Sequence, residues 1–106
     1  MKKMNRIFFI LLLLFSFSLG CVSQKSGSDD ATSACILECQ KNKATSDYVS
    51  GPCLSNEIKT DWVCDIAHNP RLPADNQPEN QCTAFREGHA HHFVELDENC
   101  TVIKVY

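Results

Sequence analysis

"GHAHHFVEL", Gly88 to Leu96, is the stretch on which the fold turns. It gathers three of the chain's four histidines within four residues and then becomes apolar. Alternation assigns it to a β-strand. His89, His91, Phe93 and Glu95 share one face; Ala90, His92, Val94 and Leu96 share the other. "CTAFRE", Cys82 to Glu87, precedes it, and Gly88 between them reads as the turn of a hairpin. "DEN" at Asp97 to Asn99 is a second turn, and "CTVIKVY" is the last strand.

Upstream, "TDWVCDIAH", Thr60 to His68, alternates again. Trp62, Cys64 and Ile66 lie on one side, Asp61, Val63 and Asp65 on the other, as in a half-buried strand. "HNPRLPADNQPENQ" then has three prolines in its first eleven residues, which exclude a helix and disfavour a strand. It reads as a long ordered loop held by Cys64 before it and Cys82 after it. "SGPC", Ser50 to Cys53, is turn chemistry. Before that, "ACILECQKNKA" from Ala34 reads as a short helix with Thr32 or Ser33 as its N-cap. Its apolar side is Ala34, Cys35, Ile36, Leu37 and Cys39, and Lys41 and Lys43 sit near its end, where cations suit the dipole. The fold class is therefore α+β: a short N-terminal helix packed on a small three- to four-stranded antiparallel sheet, stapled by disulfides.

The N-terminal residues are of another kind. Lys2, Lys3 and Arg6 precede a 13-residue apolar run, Ile7 to Leu19. A spanning helix needs about 20 residues, whereas a signal-peptide h-region is of this shorter length. "SLGC" at Ser18 to Cys21 resembles the lipobox of prokaryotic lipoproteins, archaeal ones included. The resemblance covers roughly the first 25 residues. It implies a signal peptide at 1–20, a diacylglyceryl group on Cys21, and attachment to the outer face of a membrane or in the periplasm. The remainder resembles, in outline only, small Cys-rich secreted proteins, a likeness that carries no activity.

Seven cysteines are an odd number for an exported chain. Assigning Cys21 to lipid leaves Cys35, Cys39, Cys53, Cys64, Cys82 and Cys100, enough for three disulfides in an oxidising compartment. Six cysteines allow 15 pairings, which spacing does not resolve. Cys35 and Cys39, four apart on one helix face, are expected to staple the helix to two different places. "VSQKSGSDDA", Val22 to Ala31, is polar and reads as a flexible tether, so that residues 21–31 carry the anchor and 32–106 form the domain. Without residues 1–20 the chain has 7 basic and 13 acidic residues, a charge of −6. That charge makes nucleic acid a poor partner.

Two stretches carry candidate chemistry. His89 and His91, at i and i+2 on one strand face, can approach one zinc or copper ion, with His68 and Glu95 completing a set of four. His92, on the more apolar side, reads as a core histidine. Asp61, Asp65, His68 and Arg71 place acids, a base and a cation within eleven residues, a general acid–base pair if His68 meets a carboxylate. Asp61 and Asp65, about 13 Å apart on a strand, do not pair. No HExxH, CxxC, GxSxG or phosphate loop is present. The expectation is a lipid-anchored extracytoplasmic binding or interaction module with an envelope protein partner and no cofactor. The alternatives are a zinc- or copper-binding envelope protein using the histidines, and a small hydrolase centred on His68 or His91.

Overall fold

A computed structural model describes residues 26–106. The signal segment, Cys21 and the tether up to Lys25 lie outside the described residues. One long helix packs on a four-stranded sheet, and three disulfides tie the two layers together, so the chain is a small α+β domain.

Helix α1 spans Gly27–Asn42 and begins five residues before the expected start of the domain. Its N-cap is Ser26 rather than Thr32 or Ser33: the Ser26 hydroxyl accepts from the Asp29 N–H at 3.3 Å. Asp29 and Asp30 in the first turn and Lys41 in the last complement the dipole. Residues 27–31 are thus helix and not tether. Ala31 is the reason, because it is fully buried and extends the stripe of Cys35 and Cys39 by one turn. Ile36 packs beside this stripe, whereas Leu37, expected on the apolar side, is 66% exposed.

The strands are β1 (Cys53–Lys59), β2 (Trp62–Ile66), β3 (His92–Leu96) and β4 (Val102–Val105), ordered β1-β2-β3-β4. β1 and β2 form a hairpin around Thr60 and Asp61; β3 and β4 pair antiparallel as expected. The central pair is parallel, with Trp62 opposite His92, Val63 opposite Phe93, Asp65 opposite Glu95 and Ile66 opposite Leu96. This corrects the all-antiparallel sheet. It follows from "CTAFRE" being no strand: Thr83–Arg86 is one turn of helix, α2. Asn56 on β1 caps it from outside, its Oδ1 accepting from the Ala84 N–H at 2.9 Å and the Thr83 hydroxyl at 3.2 Å. Gly88, at φ 77°, is the left-handed residue that ends this turn, and the His89 and Ala90 N–H groups both return to the Ala84 carbonyl. The hairpin glycine is therefore a helix terminator, and residues 67–91 form the crossover that a parallel pair needs.

Both faces of β2 are covered, not one. Under α1 lie Cys64, Ile66, Val94, Leu96 and the Cys35–Cys64 and Cys39–Cys100 disulfides. Tyr48 joins this cluster and donates its hydroxyl to the Cys39 carbonyl at 2.6 Å. On the other face Val63, Cys82 and Ala90 are buried, with Phe85 and Phe93 packed against them and the Cys53–Cys82 disulfide crossing to β1. Cys35 and Cys39 staple α1 to β2 and to the β3–β4 turn, two separate places as expected. Among the described residues no helix is long and apolar enough to cross a membrane.

Candidate ligand-binding site

The histidines are dispersed into separate pairs. His68 follows β2, and its Nδ1 lies 2.8 Å from Asp75 Oδ1. Asp75, 3% exposed, also accepts the backbone N–H groups of His68 at 3.0 Å and Leu72 at 2.9 Å through Oδ2. Burial pushes the Asp75 carboxyl up, but the Leu72 and His68 hydrogen bonds together outweigh it and hold it below the usual carboxylate range. Gly51, at φ 69°, makes room for this carboxylate; a Cβ there would collide with Asp75 Oδ1. His68 does meet a carboxylate, yet one from the proline-rich loop, and the pair is a structural lock beneath that loop.

His89 lies in the bend after α2, outside the strand, 3.5 Å from Glu87 and well exposed. His91 precedes β3. Its Nδ1 lies 2.6 Å from Asp61 Oδ1, and its backbone N–H donates to the same oxygen at 2.9 Å. Those contacts tie the β1–β2 turn to β3, and the His91 side-chain hydrogen bond, more than any other cause, holds Asp61 below the usual carboxylate range. His92 is not in the core. It stacks on Trp62 with centroids 4.6 Å apart, and its side chain is half-exposed. Because β2 and β3 are parallel, His91 and His68 stand at opposite ends of the sheet. Glu95 is engaged by Arg71 at 3.0 Å. The structure does not bring His68, His89, His91 and Glu95 together, and among the described residues no three His, Cys, Asp or Glu side chains are grouped to hold a metal.

A different set of residues converges. The parallel register puts Val63 and Asp65 of β2 beside Phe93 and Glu95 of β3 on the face away from α1. These four floor a cleft of about 390 Å³. Cys82, Phe85 and Arg86 wall it from the α2 side, and Arg71 and Gln81 from the loop. That volume falls within the range of small-molecule sites, roughly 300–1,000 Å³. Phe85 meets Phe93 edge to face at 5.1 Å, and Tyr106 stacks on Phe93 at 5.3 Å, so the apolar wall is fixed by mutual packing.

The charged groups of the cleft are unequally satisfied. Arg71 commits four of its five N–H groups: Nη1 donates to Glu95 Oε2 at 3.0 Å, Nε and Nη2 to Asn76 Oδ1 at 3.3 and 3.2 Å, and Nη2 also to the Asp75 carbonyl at 3.1 Å. Asp65 Oδ1 is buried without a hydrogen-bond partner among the described residues. Burial first, and then the charge of Glu95, push the Asp65 carboxyl up to about 8, against the pull of Arg71. Asp65 is therefore mostly protonated at neutral pH beside the Arg-paired Glu95, and its proton is available near neutrality. Arg86, exposed at the end of α2, makes no ion pair among the described residues.

Asp65, Glu95 and Arg71 each stood out in the sequence, but in the wrong company. The signal that joins them is the likeness of "WVCDI" and "HFVEL", two five-residue strands with an acid in the fourth place. Parallel pairing aligns those acids, and nothing within either strand announces it.

Fold and site together define a disulfide-stapled α+β domain with a mixed-charge cleft on the sheet face opposite its long helix. No family model, curated protein or solved structure matches the chain.

Proposed function

We propose that this protein is a lipid-anchored extracytoplasmic binding module whose ligand site is the cleft over Asp65 and Glu95. The cleft carries the reading: apolar walls enclose a few convergent polar groups, one of them a buried acceptor without a partner. The three disulfides support an oxidising compartment, and the resemblance of "SLGC" to a lipobox supports a membrane anchor at Cys21. An acidic, tethered domain stays soluble and clear of anionic headgroups.

The test is a fragment screen against the full oxidised chain in detergent micelles, followed through the side-chain NMR signals of Val63, Phe85 and Phe93. At least one compound class is expected to shift these three together, saturably. A screen in which no compound perturbs them, or in which every ligand maps elsewhere, overturns the assignment of the cleft. Turnover of a screened compound, lost on changing His68 or His91, would favour a hydrolase instead.

A further inference from the structure

We infer that the cleft receives a small apolar amino acid as its zwitterion, with the ammonium group between Asp65 and Glu95 and the carboxylate on Arg86. The inference rests on the cleft being the ligand site and names its ligand class.

Three observations lead there. First, Asp65 and Glu95 face each other across a parallel ladder, and Asp65 Oδ1 is a buried acceptor with no donor. Arg71 makes no hydrogen bond to it, because four of its five N–H groups go to Glu95, Asn76 and the Asp75 carbonyl. A buried carboxyl oxygen without a donor, beside a second carboxylate held by one Arg71 bond, calls for a compact group with several N–H bonds, and an ammonium has three. Second, Arg86 lines the same cleft from α2 with no anionic partner among the described residues, and a guanidinium fork matches a carboxylate. Third, between the charged ends the lining is Val63, Cys82, Phe85 and Phe93, which suits an apolar side chain.

Charge balance separates the ligand classes. With Asp65 ionised, Asp65, Glu95, Arg71 and Arg86 sum to zero, and a zwitterion leaves the site neutral. A simple amine leaves it at +1. A simple anion is neutral only if Asp65 keeps its proton. The two charged-ligand classes therefore have opposite proton linkage. Ammonium binding expels the Asp65 proton, whereas anion binding retains it. The groups facing Asp65 are Glu95 from β3, Arg71 and Asp75 from the loop and Arg86 from α2, and Lys104 of β4 lies beyond Glu95 in register.

The experiment is calorimetric titration of the full oxidised chain with L-phenylalanine and L-leucine. Each is set beside its decarboxylated amine and its deaminated acid, from pH 6 to 8, in buffers of different ionisation enthalpy. At least one amino acid is expected to bind at least tenfold more tightly than its amine or its acid. Binding should release nearly one proton at pH 7, and affinity should rise toward tenfold per pH unit below pH 8. Asp65→Asn should abolish proton release. Arg86→Gln should cost the amino acid about tenfold and leave the amine unchanged. An acid that binds as well as its amino acid, without proton release, overturns the inference and makes the cleft an anion site. Uncharged fragments shifting Val63, Phe85 and Phe93 while every amino acid fails would refute the ligand class alone. Failure of all compounds to shift them removes the site reading as well.

Discussion

Asp65 occupies a sheet position where an apolar side chain is the usual occupant, and the chain accepts a cost for it. Its folded carboxyl titrates at about 8, raised by burial and by Glu95, against roughly 3.9 in an unfolded chain. A folded acid with a raised pKa holds a proton that the unfolded chain has released. The associated stability is present below about pH 4 and is lost as pH climbs through 8. Asp75 acts with the opposite sign. Its depressed carboxyl contributes above the ordinary aspartate range and loses that contribution as pH falls. Asp65→Asn keeps the shape and removes the titration. In urea unfolding the variant should match wild type near pH 3, below both carboxyl values, and exceed it by about 2–3 kcal/mol at pH 9, roughly half the ideal linkage value because water and relaxation relieve a buried charge. Parallel stability–pH curves for the two proteins would show that Asp65 ionises without penalty. In sequence, Asp65 shows only that it lies on the polar side of an alternating strand, because its environment is made by residues 6 to 30 positions away: Arg71, Asp75 and Glu95.

The elements were legible where one segment contains its own evidence. The alternation of Trp62–Ile66 and His92–Leu96 and the turn before β4 stand where the sequence puts them, whereas the proline-rich loop holds two short 3-10 helices, Pro73–Asn76 and Pro78–Asn80, each begun by the proline that was expected to exclude a helix. Three features were hidden because their cause lies in another segment. The start of α1 is set by Ala31 reaching the sheet, not by the strength of a local cap. β1, "CLSNEIK", carries Asn, Glu and Lys in a strand because its polar side chains serve neighbours or solvent. "TAFR" is a helical turn because Asn56 caps it and Gly88 releases it. Asn56 therefore bears on the site as well as on the strand, since α2 delivers Phe85 and Arg86 to the cleft. Asn56→Ala removes an acceptor shared by the Ala84 N–H and the Thr83 hydroxyl, and should cost about 1 kcal/mol in urea unfolding. In the same variant the NMR signals of Phe85 should broaden or shift, while those of Leu96 under α1 stay in place. An unchanged Phe85 would mean that the Cys53–Cys82 disulfide alone positions α2.

The domain as a whole depends on its cross-links. A chain this short buries two small clusters, one on each face of a four-stranded sheet. By loop closure, Cys39–Cys100 at a separation of 61 contributes about 4.3 kcal/mol, and Cys35–Cys64 and Cys53–Cys82 at 29 about 3.6 kcal/mol each. Together these approach the entire stability of an ordinary domain, roughly 5–15 kcal/mol. The fold is then conditional on an oxidising compartment, which is where the proposed anchor at Cys21 would hold it. Lipid on Cys21 would separate anchoring from folding, because the other six cysteines are already paired within the domain. Expressed in its native host, Cys21→Ser should either accumulate as unprocessed precursor or leave the membrane fraction. Alkylation and mass analysis should still find Cys35–Cys64, Cys39–Cys100 and Cys53–Cys82 formed in whatever has been exported. Normal processing with full membrane retention would refute lipid attachment at Cys21. Scrambled or open bridges in the variant would instead show that Cys21 takes part in disulfide formation, and that the domain does not complete its cross-links independently of its N-terminal segment.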